Sequence, residues 1–289
     1  MAQFTPVWHA YDQAKLDAEY NAAATVPSLD LFLRRYAVES ARVRAAYECR
    51  LGIPYGPGDR EVLDVFPARS PGAPVLVYMH GGYWRRLSKD DFGFVAEPFI
   101  AAGVAVVVPS YSLAPGATLD EIVRQMRAAL EWVHANAASF NADPRRITAS
   151  GHSAGGQLAG ILAATTWSER GLPDDLVKRV FGISGLYDLE PVRRSNVNDW
   201  LRLDEAAAAR NSPFVHLPRT AAQLMAIAGG NETSEFRRQT LDYAAKWQAA
   251  GMTGEARIVP GFNHYDIVLE LLDPKSEVAG AMVGTALSA

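Results

Sequence analysis

RRITASGHSAGGQLAGILAAT, residues 145–165, reads as a strand, a sharp turn and a helix in immediate succession. RRITAS suits a strand and QLAGILAAT a buried helix. Between them stands Gly151-His152-Ser153-Ala154-Gly155, a G-x-S-x-G pattern. Its flanking glycines permit a turn that lifts a serine hydroxyl above the sheet, beside a helix N-terminus. Ser153 is therefore the candidate nucleophile. A glycine-rich turn that merely joins two elements is the bland alternative, and the strand and helix on either side weigh against it.

On both sides of this turn, short apolar runs alternate with longer helical stretches. The runs are PVLVYMH (74–80), VAVVVPS (104–110), RVFGISG (179–185), QLMAIAGG (223–230) and EARIVPG (255–261). Segments such as Leu119 to Phe140 and Thr233 to Ala250 between them are long enough for crossover helices. Near-continuous Val/Ile/Leu strands separated by helices predict an α/β fold with a mostly parallel central sheet and helices on both faces. EVLDVFPA (61–68) alternates as a strand near a sheet edge, and LGIPYGPGDR (51–60) before it reads as a turn region. Residues from Tyr11 to Glu48 predict two helices split at Val26-Pro27, with Ser28 as N-cap. The expected organisation is a single domain over 1–289, with an N-terminal helical extension over about 1–50 and a lid segment over about 193–218.

His80-Gly81-Gly82-Tyr83-Trp84 closes the strand PVLVYMH. Acyl transfer places negative charge on a carbonyl oxygen, and backbone N–H groups of a glycine loop can approach it without a Cβ in the way. The expected oxyanion donors are Ala154 and one or two among Gly81, Gly82 and Tyr83, although a plain Gly-Gly turn is the alternative. Tyr83, Trp84 and Tyr111 are the candidate aromatic pocket, with ordinary core packing as the alternative. The general base should follow the last strand, and His264, in Gly261-Phe-Asn-His-Tyr-Asp266, is the histidine in that place. For the acid that orients it, Glu232 in the turn after QLMAIAGG is preferred, with Asp188 and Asp266 as competitors. A carboxylate that only favours a helix N-terminus is the structural alternative for Glu232.

Composition excludes several classes. A formal net charge of -4 and no Lys/Arg run argue against nucleic acid. The single cysteine, Cys49, forbids an internal disulfide and a thiolate zinc site. HExxH is absent and the six histidines do not pair at ligand spacing, so neither metal nor organic cofactor is expected. The first twenty residues lack the pattern of a signal peptide and no apolar run has spanning length, so a cytoplasmic, membrane-free location is the expectation.

HGGYW, GHSAGG, ISGLYDLEP (183–191), RNSP (210–213), GGNETSEFRRQ (229–239) and GFNHYD (261–266) together resemble arylformamidases, also called kynurenine formamidases, and the bacterial esterases close to them. The resemblance spans Tyr11 to Asp273 and implies the α/β-hydrolase fold. It also implies a triad of Ser153, Glu232 and His264, with the HGGYW loop at the oxyanion hole. The family pattern usually has Asp where this chain has Glu232. The expected function is a serine hydrolase that cleaves a small formyl or acetyl ester or aryl amide through an acyl-enzyme. A general short-chain carboxylesterase is the alternative, and a non-catalytic binding protein on the same fold a remote one. The expected partner is a small-molecule acyl substrate, and a homodimer is an open option.

Overall fold

The computed structural model describes residues 6–289. Its strands are β1 (Arg50–Pro54), β2 (Val62–Phe66), β3 (Ala73–Met79), β4 (Ala105–Pro109), β5 (Ala142–His152), β6 (Val177–Ile183), β7 (Gln223–Gly229) and β8 (Gly254–Val259). Its α-helices are α1 (Gln13–Glu19), α2 (Leu29–Ala46), α3 (Glu97–Ala101), α4 (Leu119–Asn136), α5 (Ala154–Ala163), α6 (Leu189–Arg194), α7 (Asn198–Leu201), α8 (Glu205–Arg210), α9 (Ser234–Ala249) and α10 (Glu277–Leu287). The strands form one sheet in the order β1-β2-β4-β3-β5-β6-β7-β8. From β4 to β8 every neighbouring pair is parallel, whereas β2 runs antiparallel to both its neighbours.

Strand periodicity divides the core in two. On β3, Val75, Val77 and Met79 enter one apolar cluster with α4, α5 and α9, while Leu76 and Tyr78 enter another with α2, α3 and α10. Side chains that alternate across a strand need cover on both faces, and these two sets of helices supply it. α4 shows how a covering helix forms. Thr118 accepts a hydrogen bond from the Glu121 N–H at 3.2 Å, Asp120 and Glu121 occupy the first turn, and Ile122, Val123, Met126, Leu130 and Val133 are buried.

Two local expectations change. Arg50–Pro54, which overlaps the stretch that reads as a turn, pairs with β2 and takes the edge itself. Most of β1 is exposed, so burial leaves no apolar alternation in it to be read. What holds it is the ladder and the Gly52 N–H, which donates to Asp64 Oδ1 at 2.8 Å. The N-terminal region contains α1, a short 3₁₀ turn over Ala22–Thr25 and α2, with Ser28 at the N-cap position but no side-chain cap bond. No helix among the described residues is long and apolar enough to cross a membrane.

In a parallel sheet all carboxyl ends lie on one edge, so the residues after β3, β5, β6, β7 and β8 converge there. His80, Ser153, Ser184, Gly230 and Pro260 are those residues, and the loops they open carry every candidate side chain except Tyr111, which follows β4.

Candidate active site

Between β5 and α5 the chain reverses direction at Ser153, whose backbone sits at φ 55°, ψ -118°. A non-glycine residue there costs about 1–3 kcal/mol, offset only by firm anchoring on both sides. The Ser153 N–H donates to the Ile183 carbonyl at 2.8 Å, which ties the turn to the end of β6. A Cβ on Gly155 would lie 2.0 Å from the Met79 carbonyl oxygen, and one on Gly151 2.4 Å from the Gly155 carbonyl group. Both glycines are thus demanded by close backbone approach, which is how the pattern lets α5 leave directly from the strand end.

The loop after β8 brings His264 over this turn. His264 Nδ1 lies 2.7 Å from Glu232 Oε2, and both side chains are almost fully buried. The other oxygen of Glu232 accepts from the Gly229 N–H and the Ser184 hydroxyl, each at 2.6 Å. With the carboxylate accepting on all sides, Nδ1 donates to it, and in the neutral ring Nε2 carries the lone pair. The competing carboxylates are engaged elsewhere. Asp266 accepts from the Asn263 backbone and side chain and braces its own loop, and Asp188 caps α6 through the Glu190 N–H. Of the three, Glu232 alone touches His264.

His152, beside Ser153, is bonded to the loop that carries His264. Its Nε2 donates to the His264 carbonyl at 2.8 Å, and its ring centre lies 4.5 Å from that of His264. Burial, with the His264 ring beside it, holds its protonation far below the ordinary histidine range.

The HGGYW loop crosses above the turn. A Cβ on Gly81 would come within 3.0 Å of the His152 carbonyl, and Gly82 sits at φ 113° with the Arg86 carbonyl where its side chain would be. Among the described residues, the N–H groups of Gly81, Gly82, Tyr83 and Ala154, the four expected donors, have no hydrogen-bond acceptor. His80 underlies the loop: its Nδ1 donates to the Gly81 carbonyl at 2.8 Å, and its ring stacks on Tyr111 with centres 4.1 Å apart. Burial pushes His80 down to about 4, so it stays a neutral brace.

A narrow cleft with about 20 Å³ of free space, room for a water molecule or so, opens beside Ser153 and His264. Gly82, Tyr83, Arg86 and Leu87 form one wall, and Leu29, Leu33 and Tyr36 of α2 another. Two expected pocket residues are not part of it. Trp84 is fully buried with Nε1 donating to Gln157 Oε1 at 3.0 Å, and Tyr111 is fully buried with its hydroxyl donating to the His80 carbonyl at 2.8 Å. Their polar ends are satisfied beneath the loop, so both are core residues that support it. Tyr83 does line the cleft, and its hydroxyl donates to the Tyr20 carbonyl.

The segment expected as a lid, about 193–218, contributes no lining residue. It contains α7, α8 and the end of α6, and meets the site from outside, where Trp200 Nε1 donates to the Tyr83 carbonyl at 3.1 Å. Cover over Ser153 comes instead from α2, which is clamped to the His264 loop by the Tyr36 hydroxyl bond to the Tyr265 carbonyl. Helical spacing makes Leu29, Leu33 and Tyr36 recognisable as one apolar face, yet nothing local says which site that face covers. For Ser184 and Arg86 the sequence carries no signal.

Comparison with known proteins is consistent with this architecture. The BD-FAE family model matches residues 63–206. A kynurenine formamidase of Danio rerio is 31% identical over 92% of this chain and 94% of its own length. One from Salmo salar is 33% identical over 80% of each. EstE1, a carboxylesterase cloned from a metagenomic library, shares the fold, with a TM-score of 0.69 at 22% identity over 90% of this chain and 95% of its own.

Proposed function

The chain belongs to the kynurenine formamidase family of α/β-hydrolases, and on that premise we propose that it hydrolyses a small acyl group, formyl first, from an aryl amine or aryl ester, with Ser153 as nucleophile. The observation that carries the reading is the 2.7 Å contact of His264 with Glu232 beside the strained Ser153 turn. A hydroxyl, an imidazole and a carboxylate in that sequence form the proton-transfer chain that acyl transfer needs.

In this reading the Ser153 hydroxyl gives its proton to His264 Nε2 as Oγ bonds to the acyl carbon. The carbonyl oxygen takes up the negative charge and is held by the free N–H groups of Gly82, Tyr83 and Ala154. Collapse expels the amine or phenol, which takes the proton from His264. Water, deprotonated by the same imidazole, then attacks the acyl-enzyme and releases the acid and free Ser153. The scant space beside Ser153 supports a formyl or acetyl group over longer chains.

A second reading, a short-chain carboxylesterase, is favoured by Glu232 standing where the family pattern has Asp. Turnover of N-formylkynurenine against p-nitrophenyl acetate and butyrate separates the two. Formamide cleavage well above acetate cleavage supports the first, and good acetate cleavage with no formamide turnover supports the second. Fluorophosphonate labelling followed by peptide mapping should find the adduct on Ser153, and an adduct elsewhere would overturn both.

A further inference from the structure

Arg86 is the one permanently charged residue in the lining of the cleft, whose other walls are largely apolar or aromatic. Among the described residues its guanidinium has no ion-pair partner within 4.0 Å and donates no hydrogen bond. The nearby acid of the site is already committed, since Glu232 accepts from Gly229, Ser184 and His264. Nor is Arg86 on a loose surface loop. The Arg85 and Arg86 N–H groups both donate to the Gly82 carbonyl, at 3.1 and 3.2 Å. The absent side chain of Gly82 lets the Arg86 carbonyl approach to 2.3 Å from where a Cβ would stand. The turn that carries Arg86 is therefore the same turn that presents the Gly82 and Tyr83 N–H groups, so the backbone from which the cation extends is fixed relative to Ser153.

Arg86 is only partly exposed, whereas Ser153 and His264 are buried, so it stands on the solvent side of the reacting groups. A cation beside Leu29, Leu33 and Leu87 is less screened than one on open surface and has a free planar fork of donors. We propose that Arg86 recognises a carboxylate carried by the leaving group of the substrate, making this a hydrolase for anionic aryl amides or esters. The proposal rests on Ser153 as the reacting group and adds the charge class of its substrate.

The test compares meta-formamidobenzoate with its uncharged twin meta-formamidobenzamide. In the wild-type enzyme kcat/KM should favour the carboxylate by about tenfold, chiefly through KM. Arg86→Gln should bring that ratio close to one, and Arg86→Lys should keep part of it, because charge persists without the fork. Equal and measurable rates for the twins in wild type, or an undiminished preference in Arg86→Gln, would overturn the proposal. Calorimetric binding of the products, meta-aminobenzoate against meta-aminobenzamide, separates it from the hydrolase reading. Preferential binding of the carboxylate that disappears in Arg86→Gln upholds Arg86 even if neither formamide is cleaved, in which case it is formamide hydrolysis that fails. Cleavage of both twins with equal product binding upholds hydrolysis and removes Arg86.

Discussion

His152 Nε2 lies 2.8 Å from the carbonyl oxygen of His264, so the residue before Ser153 grips the loop that carries the candidate base. The bond fixes the distance between two elements that are far apart in the chain, and it leaves His152 Nδ1 without a partner. His152→Phe keeps a planar aromatic ring and removes the donor. It should lower kcat by about tenfold to a hundredfold, since misplacing a base by an ångström has effects of that order. KM should change little, and His152→Gln, which restores a donor, should recover part of the loss. Steady-state kinetics beside a thermal melt checks this, and a fall in melting temperature with unaltered kcat would assign His152 to packing alone.

Glu232→Gln should be the most damaging of three carboxylate changes, by about 10²–10⁴ in kcat, because an amide there no longer stabilises the imidazolium and can favour the wrong tautomer. Asp188→Asn and Asp266→Asn should cost far less, since those side chains brace their own segments. Ser184→Ala should be intermediate, as it removes one donor to Glu232. If Asp188→Asn proves worst while Glu232→Gln stays near wild type, the assignment is wrong.

Acid should weaken the fold through the two buried histidines. His80 is pushed down to about 4 from 6.5 by burial, partly countered by its bond to the Gly81 carbonyl, and His152 is lowered in the same direction. Between those two pH values the unfolded chain binds the proton that folded His80 refuses. Stability is therefore fully present above about 6.5 and declines as pH falls toward 4, by up to about 3 kcal/mol from His80. Asp188 and Asp266, which burial holds above the usual carboxylate range, act in the opposite sense at the low end. Denaturant midpoints measured from about pH 7.5 down to about 4.5 should show the decline, and His80→Gln should flatten it. An identical slope in that variant would remove His80 as the cause.

Enlarging the cleft should relax its selectivity for acyl size. For a series of aryl esters, kcat/KM should fall steeply from acetyl to octanoyl, because a longer chain must displace packed side chains. Leu33→Ala on α2 should lessen that fall by about tenfold at butyryl, in keeping with a few methylenes of pocket space. A preference for long chains in the wild-type enzyme would contradict the small free space beside Ser153.

The parallel sheet, the turn at Ser153 and the place of His264 were legible in the sequence because each is a local matter. A buried strand must be continuously apolar, and a strand-to-helix reversal with no room for a Cβ must use glycine at 151 and 155. What lies under or over the site was decided by tertiary structure. Trp84 and Tyr111 look like pocket aromatics beside the HGG loop, yet their rings face inward to Gln157 and His80, and side-chain direction there depends on neighbours far along the chain. Likewise the apolar face of α2 is plain from its spacing, but only the folded molecule sets Leu29, Leu33 and Tyr36 opposite Ser153. β1 escaped notice for the converse reason: an exposed edge strand is held by backbone pairing, and backbone pairing leaves no mark on side-chain pattern.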